Sequence, residues 1–583
     1  MFGPFSHYVR PYRKRLLVGV VAIACSQVAS ALIPMQIAAA VDALESGASA
    51  APLTTVRDRV AWVLVLAAFV AVGGFIMRRQ MGVSSTWIEY DIRTTYFAHL
   101  LAQPLSFYQE HRTGDLMARA TNDLTQVRIF FTYGLRGIAE TALIFVFSVV
   151  MMCRIDWQLS LLVLIPLPLM SLFIIRMAAI VHTRFRAIQD FFGDISNFIQ
   201  ENLSGIRVVK AFVQGPAQTR VFDGLNQEYL ERNASLIHTH AIYRPLSFLI
   251  ASTGLGMNLW LGGEAVATGS LKIGEFVALN AYLTLLIRPV SYVGWIIDRS
   301  QRALVAMRRI NEVLAIEPGI SDRMVSAASV APPECVSGRL QFEGVGFAYD
   351  DMAALQGVDL DLAAGTTLGI VGRVGSGKTT LARLIPRLIE PTAGRILLDG
   401  VPLDEWPLAR LRQAIGYVAQ TPFLFSDAVG ANMGYAVEEA TPDQIRQAAE
   451  EAQVRADVEE FEEGFDTVIG ERGVTLSGGQ KQRTTLARAL LMRPEILILD
   501  DSLSAVDTET EEAILGHLRR IMAQRTTILI AHRISTLRDA DHIIVLDEGC
   551  ITEQGTHAEL ISAGGLYADL ARRQQLAAEL DEM

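Results

Sequence analysis

The run Gly372-Arg373-Val374-Gly375-Ser376-Gly377-Lys378-Thr379 has the spacing G-x-x-x-x-G-K-[ST], the pattern of a loop that wraps phosphate. Gly372, Gly375 and Gly377 let the backbone turn tightly and aim successive N–H groups at phosphate oxygens. Lys378 is placed to reach the β- and γ-phosphates of a nucleotide, and the Thr379 hydroxyl to sit on Mg²⁺. Ser376 and Thr380 complete the expected phosphate contacts. Downstream, Ile496-Leu497-Ile498-Leu499-Asp500 is an apolar run that ends in a carboxylate. Such a strand presents its last residue at the sheet edge where nucleotide binds, so Asp500 is a candidate Mg²⁺ ligand, direct or through water. Between the two stands Leu476-Ser477-Gly478-Gly479-Gln480. A small hydroxyl and two glycines at a helix start make a second anion-binding device.

The elements that must hold these residues can be read around them. Gly369-Ile370-Val371 is a short strand directly before the loop, and residues 379–384 are helical directly after it. The N-terminus of that helix adds a dipole favourable to anions. From residue 339 to 583, β-rich runs alternate with helical stretches, which indicates an α/β domain with a largely parallel sheet. Residues 318–338 are rich in Ser, Ala and Pro without a period, so a linker is expected over 311–338.

The first half has a different composition. The 583-residue chain is 51% hydrophobic and 19% charged, too apolar for an ordinary soluble enzyme. Uncharged runs at 16–41, 60–77, 157–175 and 245–263 are each near or above the length of a spanning helix. A shorter run at 141–153 and one at 276–297, interrupted by Arg288, bring the expected spans to six within a domain covering 1–310. The first run follows Arg10, Arg13, Lys14 and Arg15 but is longer than a signal-peptide core, so it reads as a retained helix.

Basic residues set the expected orientation. They cluster at the N-terminus, after the fourth run (Arg176, Arg184, Arg186) and after the sixth (Arg299, Arg302, Arg308, Arg309), which puts both termini on the cytoplasmic side. Residues 154–156 leave room only for a tight hairpin between spans three and four. Segments 78–136 and 176–244 are far longer than loops. Apolar residues recur there at helical spacing, as at Ile188, Phe191, Phe192, Ile195, Phe198 and Ile199. The membrane helices are therefore expected to run on into the cytoplasm and turn back there. A net charge of −11 gives no support for nucleic-acid binding. Four cysteines lie far apart without metal-ligand spacing.

The segment Leu476-Ser477-Gly478-Gly479-Gln480 resembles the signature of the ABC transporter family, and other positions agree with that family's pattern. Tyr349 is similar to the aromatic that stacks on adenine, and Gln420 to the glutamine that contacts Mg²⁺ and the attacking water. His532 resembles the switch histidine that contacts the γ-phosphate. Glu471-Arg472-Gly473 resembles the exporter-specific loop before the signature, and Ser504-Ala505-Val506-Asp507 the dimer-contact loop. In the first half, His111-Arg112-Thr113-Gly114-Asp115-Leu116, Thr121-Asn122-Asp123 and Gly205-Ile206-Arg207-Val208-Val209-Lys210-Ala211-Phe212 resemble the cytoplasmic hairpins of ABC exporters, whose short helices dock onto ATP-binding domains.

The resemblance covers nearly the whole chain. It implies an all-α six-helix transmembrane domain fused to an α/β P-loop ATPase domain of ABC type. It also implies an exporter half-transporter in the lipid bilayer of the cell inner membrane, paired with a second half-transporter. Two sites for ATP with Mg²⁺ would lie at the dimer interface, each combining the phosphate loop of one chain with the signature of the other. Cargo would be small and amphipathic: a drug, lipid or peptide.

One position departs from the pattern. The family usually has Glu after the Mg²⁺ carboxylate, where it orients or deprotonates the attacking water; here that position is Asp501. One missing methylene draws the carboxylate back by about 1.5 Å, which matters when a general base must stand within hydrogen-bond reach. The loop of this chain is therefore expected to hold ATP and hydrolyse it slowly. With an intact signature, this fits a heterodimer in which a partner bearing Glu supplies the competent site, as in heterodimeric bacterial multidrug exporters. A slow homodimeric exporter and a regulatory ATP-binding subunit that transports nothing are the alternatives.

For the substrate path, Arg288 beside Pro289 is the main candidate, because charge at membrane depth faces a pathway or a partner. Arg136 and Glu140, one helical turn apart, are expected to pair. Trp260, Tyr282, Tyr292 and Trp295 are expected at the lipid interface rather than in a cavity.

Overall fold

The computed structural model describes residues 5–45, 51–322, 332–350, 352–470, 476–502, 508–523 and 525–581. The stretches Glu471-Arg472-Gly473 and Ser504-Ala505-Val506-Asp507 lie outside the described residues. The chain divides into two compact units, residues 1–101 with 112–316, and residues 102–111 with 317–583.

Among the described residues, the first unit is built from six long helices: α1 (Ser6–Glu45), α2 (Leu53–Ala102), α4 (Thr113–Ile155), α5 (Trp157–Ser204), α7 (Gly215–Ala267) and α8 (Ile273–Leu314). Two short helices stand at the turns along the chain: α6 (Ile206–Ala211) between α5 and α7, and α3 (Leu105–Glu110) between α2 and α4, whose residues are grouped with the second unit. Each long helix is apolar enough to cross a membrane, and they run for 40 to 53 residues. At 1.5 Å per residue that is about 60–80 Å, roughly twice the hydrocarbon thickness of a bilayer. The long segments between spans two and three and between four and five are therefore helix extensions, each turning back around a short helix. The weak run at 141–153 is part of α4, which takes in Glu140 and the segment before it.

Local chemistry explains the interruptions. Asp156 is extended between α4 and α5, and its Oδ1 accepts the N–H groups of Gln158 and Leu159 at 2.9 and 3.0 Å. That cap satisfies two donors that a helix start leaves open and makes the hairpin tight. Pro34, Pro245 and Pro289 sit inside helices, as membrane helices tolerate where neighbours and local π-turns relieve the freed carbonyls. Met152, Val163, Met170, Leu283 and Leu286 belong to a core shared by α4, α5 and α8. In the helix extensions, Ile188, Phe191 and Ile195 form the buried stripe of α5, while Phe192 and Ile199 are exposed. Spacing marks the helix there; the neighbour, α7, selects which apolar residues it covers.

Among the described residues, the second unit holds two sheets. β1 (Leu340–Tyr349), β2 (Met352–Leu362), β4 (Ala393–Leu398) and β5 (Val401–Pro402) form an antiparallel sheet in the order β2-β1-β4-β5. β3 (Thr367–Gly372), β6 (Ile415–Val418), β7 (Ile496–Asp500), β8 (Thr526–Ile530), β9 (His542–Asp547) and β10 (Cys550–Gly555) form the other, in the order β10-β9-β3-β8-β7-β6. All its pairs are parallel except β10 with β9. β7 shows why the sheet is central. Ile496 and Ile498 pack on one core, Leu497 and Leu499 on the other, all four fully buried. A strand apolar on both faces belongs in the middle of a covered parallel sheet.

Candidate nucleotide-binding site

β3 ends at Gly372, the loop follows, and α9 (Lys378–Leu384) begins. Gly375 and Gly377 have φ of +84° and +99°, a region open to glycine at little cost. A Cβ on Gly377 would stand 2.5 Å from the Ala354 carbonyl oxygen, so the loop is pressed onto β2. The buried Lys378 Nζ donates to the carbonyls of Gly372 and Arg373, both at 2.8 Å. Burial pushes its ammonium pKa down, against the pull of Asp501 and Asp500. Ser376 Oγ is buried and has no hydrogen-bond partner among the described residues.

Asp500 closes β7 with 1% exposure. Thr379 Oγ1 donates to its Oδ1 at 3.0 Å, and the Tyr417 hydroxyl donates to its Oδ2 at 3.3 Å. Burial raises the Asp500 pKa, and these two hydrogen bonds oppose the rise. The next residue, Asp501, has φ of +49° and donates its backbone N–H to Ile530 O at 2.9 Å. This left-handed turn off the strand end brings its carboxylate beside two other candidates. Gln420 Nε2 donates to Asp501 Oδ2 at 3.3 Å, and His532 Nε2 stands 3.8 Å from the same oxygen.

A cleft of about 410 Å³ gathers the candidates. Tyr349, Gly375, Ser376, Gly377, Lys378, Thr379, Thr380, Gln420 and His532 line it. Gly372 meets it through the Lys378 ammonium, and Asp500 through Thr379. The Tyr349 hydroxyl is 3.4 Å from Thr380 Oγ1, and its ring stands edge-on to Phe347. A lysine wrapped by its own loop, an orphaned buried hydroxyl and a Thr–Asp pair fit a triphosphate with a divalent cation. Among the described residues, no cluster of three or more His, Cys, Asp or Glu could hold a metal by itself.

The signature residues do not join this cleft. Ser477 caps α10 (Gly478–Leu491): its hydroxyl accepts the Gln480 N–H at 3.2 Å, and Gln480 Oε1 accepts the Ser477 N–H at 3.0 Å. Gln480 Nε2 donates to Asp457 Oδ1 at 3.0 Å. Ser477, Gly478, Gly479 and Gln480 thus form a separate helix start, absent from the described lining of the loop's cleft.

The family model for the ABC transporter transmembrane region matches residues 16–290, and that for the ABC transporter matches residues 355–504. A probable multidrug resistance ABC transporter ATP-binding/permease protein, YheI of Bacillus subtilis (strain 168), is 35% identical over 98% of this chain and 97% of its own. The multidrug resistance-like ATP-binding protein MdlA of Escherichia coli (strain K12) is 36% identical over 100% of this chain and 98% of its own.

The chain belongs to the ABC transporter family.

An ATP-dependent lipid A-core flippase of Chromohalobacter salexigens is 33% identical over 98% of this chain and 97% of its own. The solved structure of a bacterial Atm1-family ABC exporter with ATP bound matches with a TM-score of 0.79, at 27% identity, over 97% of this chain and 99% of that one. This ABC exporter chain thus carries a six-helix membrane domain and an ATPase domain that powers transport.

The membrane unit of the transporter holds a second cavity, of about 660 Å³, lined from α1, α2, α4 and α8. Arg136 Nε and Glu140 Oε2, 3.2 Å apart, pair as expected and lie on its wall. Tyr292 and Trp295 line it as well, whereas Tyr282 is buried and donates its hydroxyl to Ala31 O at 2.7 Å. Trp260, Tyr292 and Trp295 are all exposed, Trp260 most at 75%. The Arg288 side chain lies outside the described residues.

Three participants escaped the reading of the sequence. Tyr417 stands three residues before Gln420 on β6, and only the pairing of β6 with β7 brings it to Asp500. Asp457 reaches Gln480 across sequence with no motif to mark it. Arg78 lines the membrane cavity; its signal was available, since it is the charge that ends the apolar run 60–77.

Proposed function

We propose that this chain is the degenerate-site subunit of a heterodimeric ABC exporter that moves amphipathic compounds out of the cytoplasm. Its membrane domain is residues 1–310, its linker 311–338 and its nucleotide-binding domain 339–583, with both termini cytoplasmic. The reading is carried by Asp501, the short carboxylate that follows Asp500.

Each chain residue has a part. Tyr349 stacks on adenine. Gly372, Gly375, Ser376, Gly377, Lys378, Thr379 and Thr380 hold the phosphates. Thr379, Gln420 and Asp500 would hold Mg²⁺, which would supply positive charge against the phosphates. Ser477, Gly478, Gly479 and Gln480 serve the nucleotide on the partner's loop. Their separation from this chain's cleft supports that division of labour. Asp501 orients water weakly because it is short, while His532 and Gln420 report the state of the γ-phosphate. Closure of the paired ATP domains turns the membrane cavity outward, and hydrolysis at the partner's site resets it. Relatives named for multidrug resistance and for lipid A-core flipping support an amphipathic cargo.

The test is steady-state ATPase activity of the purified chain alone and with its partner half-transporter. Slow hydrolysis alone and fast hydrolysis together are expected. Fast hydrolysis by the chain alone contradicts the heterodimer.

A further inference from the structure

The membrane cavity has an uneven charge. Its charged lining, among the described residues, is Arg78, Arg136 and Glu140. Arg136 and Glu140 are paired at 3.2 Å and cancel. Arg78 is exposed and makes no ion pair among the described residues. Its guanidinium is therefore a positive charge in a chamber whose one acid is already engaged. The planar fork of donors on an arginine is what recognises carboxylate or phosphate.

The lining is also graded. Arg78 ends the apolar run of α2, and Arg136 with Glu140 precedes that of α4. Gly73 faces Ser26 and Gly19 faces Met81, so Arg78 lies near the level of Ile23 on the antiparallel α1. Further along the same helices the wall is Ser30, Val70 and Ile144. Charge thus stands at one end and apolar and hydroxyl groups at the other. The Trp295 ring is already engaged by a cation, since the Arg299 guanidinium lies 5.6 Å from its centroid.

Resting on the exporter reading, we propose that this cavity takes an anionic amphiphile, a carboxylate or phosphodiester headgroup on an apolar body, with Arg78 as the headgroup contact. The size suits one such molecule, since ligand pockets run to about 300–1,000 Å³.

The experiment uses the full-length chain in nanodiscs of zwitterionic phosphatidylcholine, without nucleotide. Four dansyl-labelled probes share one alkyl chain and differ in headgroup: carboxylate, methyl phosphodiester, neutral amide and primary amine. Energy transfer from tryptophan to dansyl, corrected for empty nanodiscs, reports binding. At least one anion is expected to bind about tenfold or more tighter than the amide, as one charge-assisted contact supplies, and the tighter anion names the headgroup. Arg78→Gln is expected to abolish that preference while leaving amide binding in place. Glu140→Gln, which frees Arg136, is expected to strengthen anion binding, a gain that misfolding cannot imitate. A tightest-binding amine, or an anion-to-amide ratio unchanged by Arg78→Gln, overturns the proposal. Because ATP is absent, loss of the anion preference alongside intact ATP-driven transport rejects only this ligand class; intact preference without transport rejects the exporter reading instead.

Discussion

Gln420 Nε2 and Asp501 Oδ2 stand 3.3 Å apart, and His532 Nε2 approaches the same oxygen at 3.8 Å. Two neighbours thus converge on the carboxylate whose length departs from the family pattern. Asp501→Glu extends that carboxylate towards the nucleotide without removing either neighbour. Turnover at this chain's own site should rise, by as much as the ~10²–10⁴-fold that a positioned base contributes. The check is ATPase activity of a complex whose partner site has been silenced. Unchanged turnover would show that another feature limits this site.

Lys378 spends its charge on its own loop, donating to Gly372 O and Arg373 O. A bound triphosphate offers the ammonium a charged acceptor instead. Lys378→Ala should weaken ATP binding at this site by about tenfold or more. Titration with a fluorescent ATP analogue measures it. Equal affinity in the variant would mean that the phosphates lie elsewhere.

Burial raises the Asp500 pKa above the ordinary carboxylate range. A raised folded-state pKa means that its stability contribution is fully present below the unfolded pKa and is lost as pH rises through the folded value. At neutral pH the nucleotide-free protein therefore bears the cost of a buried charge. Asp500→Asn should raise the melting temperature of the nucleotide-free chain at neutral pH, with a gain that shrinks as pH falls through the raised pKa. Melting curves across that range provide the check; a gain independent of pH contradicts it.

Gly377 has φ of +99° and would place a Cβ 2.5 Å from Ala354 O and 2.8 Å from Leu355 Cδ2. Gly377→Ala should cost about 1–3 kcal/mol from backbone strain alone, together with loss of nucleotide binding. A melting temperature and an ATP affinity equal to those of the unaltered chain would show that the loop can relax.

Much of this molecule was legible in its sequence because its strongest signals are local. Apolar length marks a membrane helix, and the phosphate loop lies within one strand–turn–helix. Even the weak run at 141–153 could be placed, since α4 needed only to begin earlier. What the sequence withheld depends on pairing across space. Tyr417 reaches Asp500 only because β6 lies beside β7, and strand order has no local signature. Tyr292 and Trp295 line a cavity shared with α1, α2 and α4, a placement that no local pattern on α8 announces. Composition alone cannot distinguish an aromatic at a bilayer boundary from one at a cavity wall.

Nucleotide energy is expected to drive an amphiphile across a membrane through this chain. Uptake of a fluorescent amphiphile into inverted membrane vesicles containing the chain and its partner tests it most directly. ATP should drive accumulation, and a complex with Lys378→Ala in this chain and the equivalent lysine replaced in the partner should accumulate none. Vesicles that bind ATP yet accumulate no amphiphile would contradict the account and favour a regulatory ATP-binding subunit.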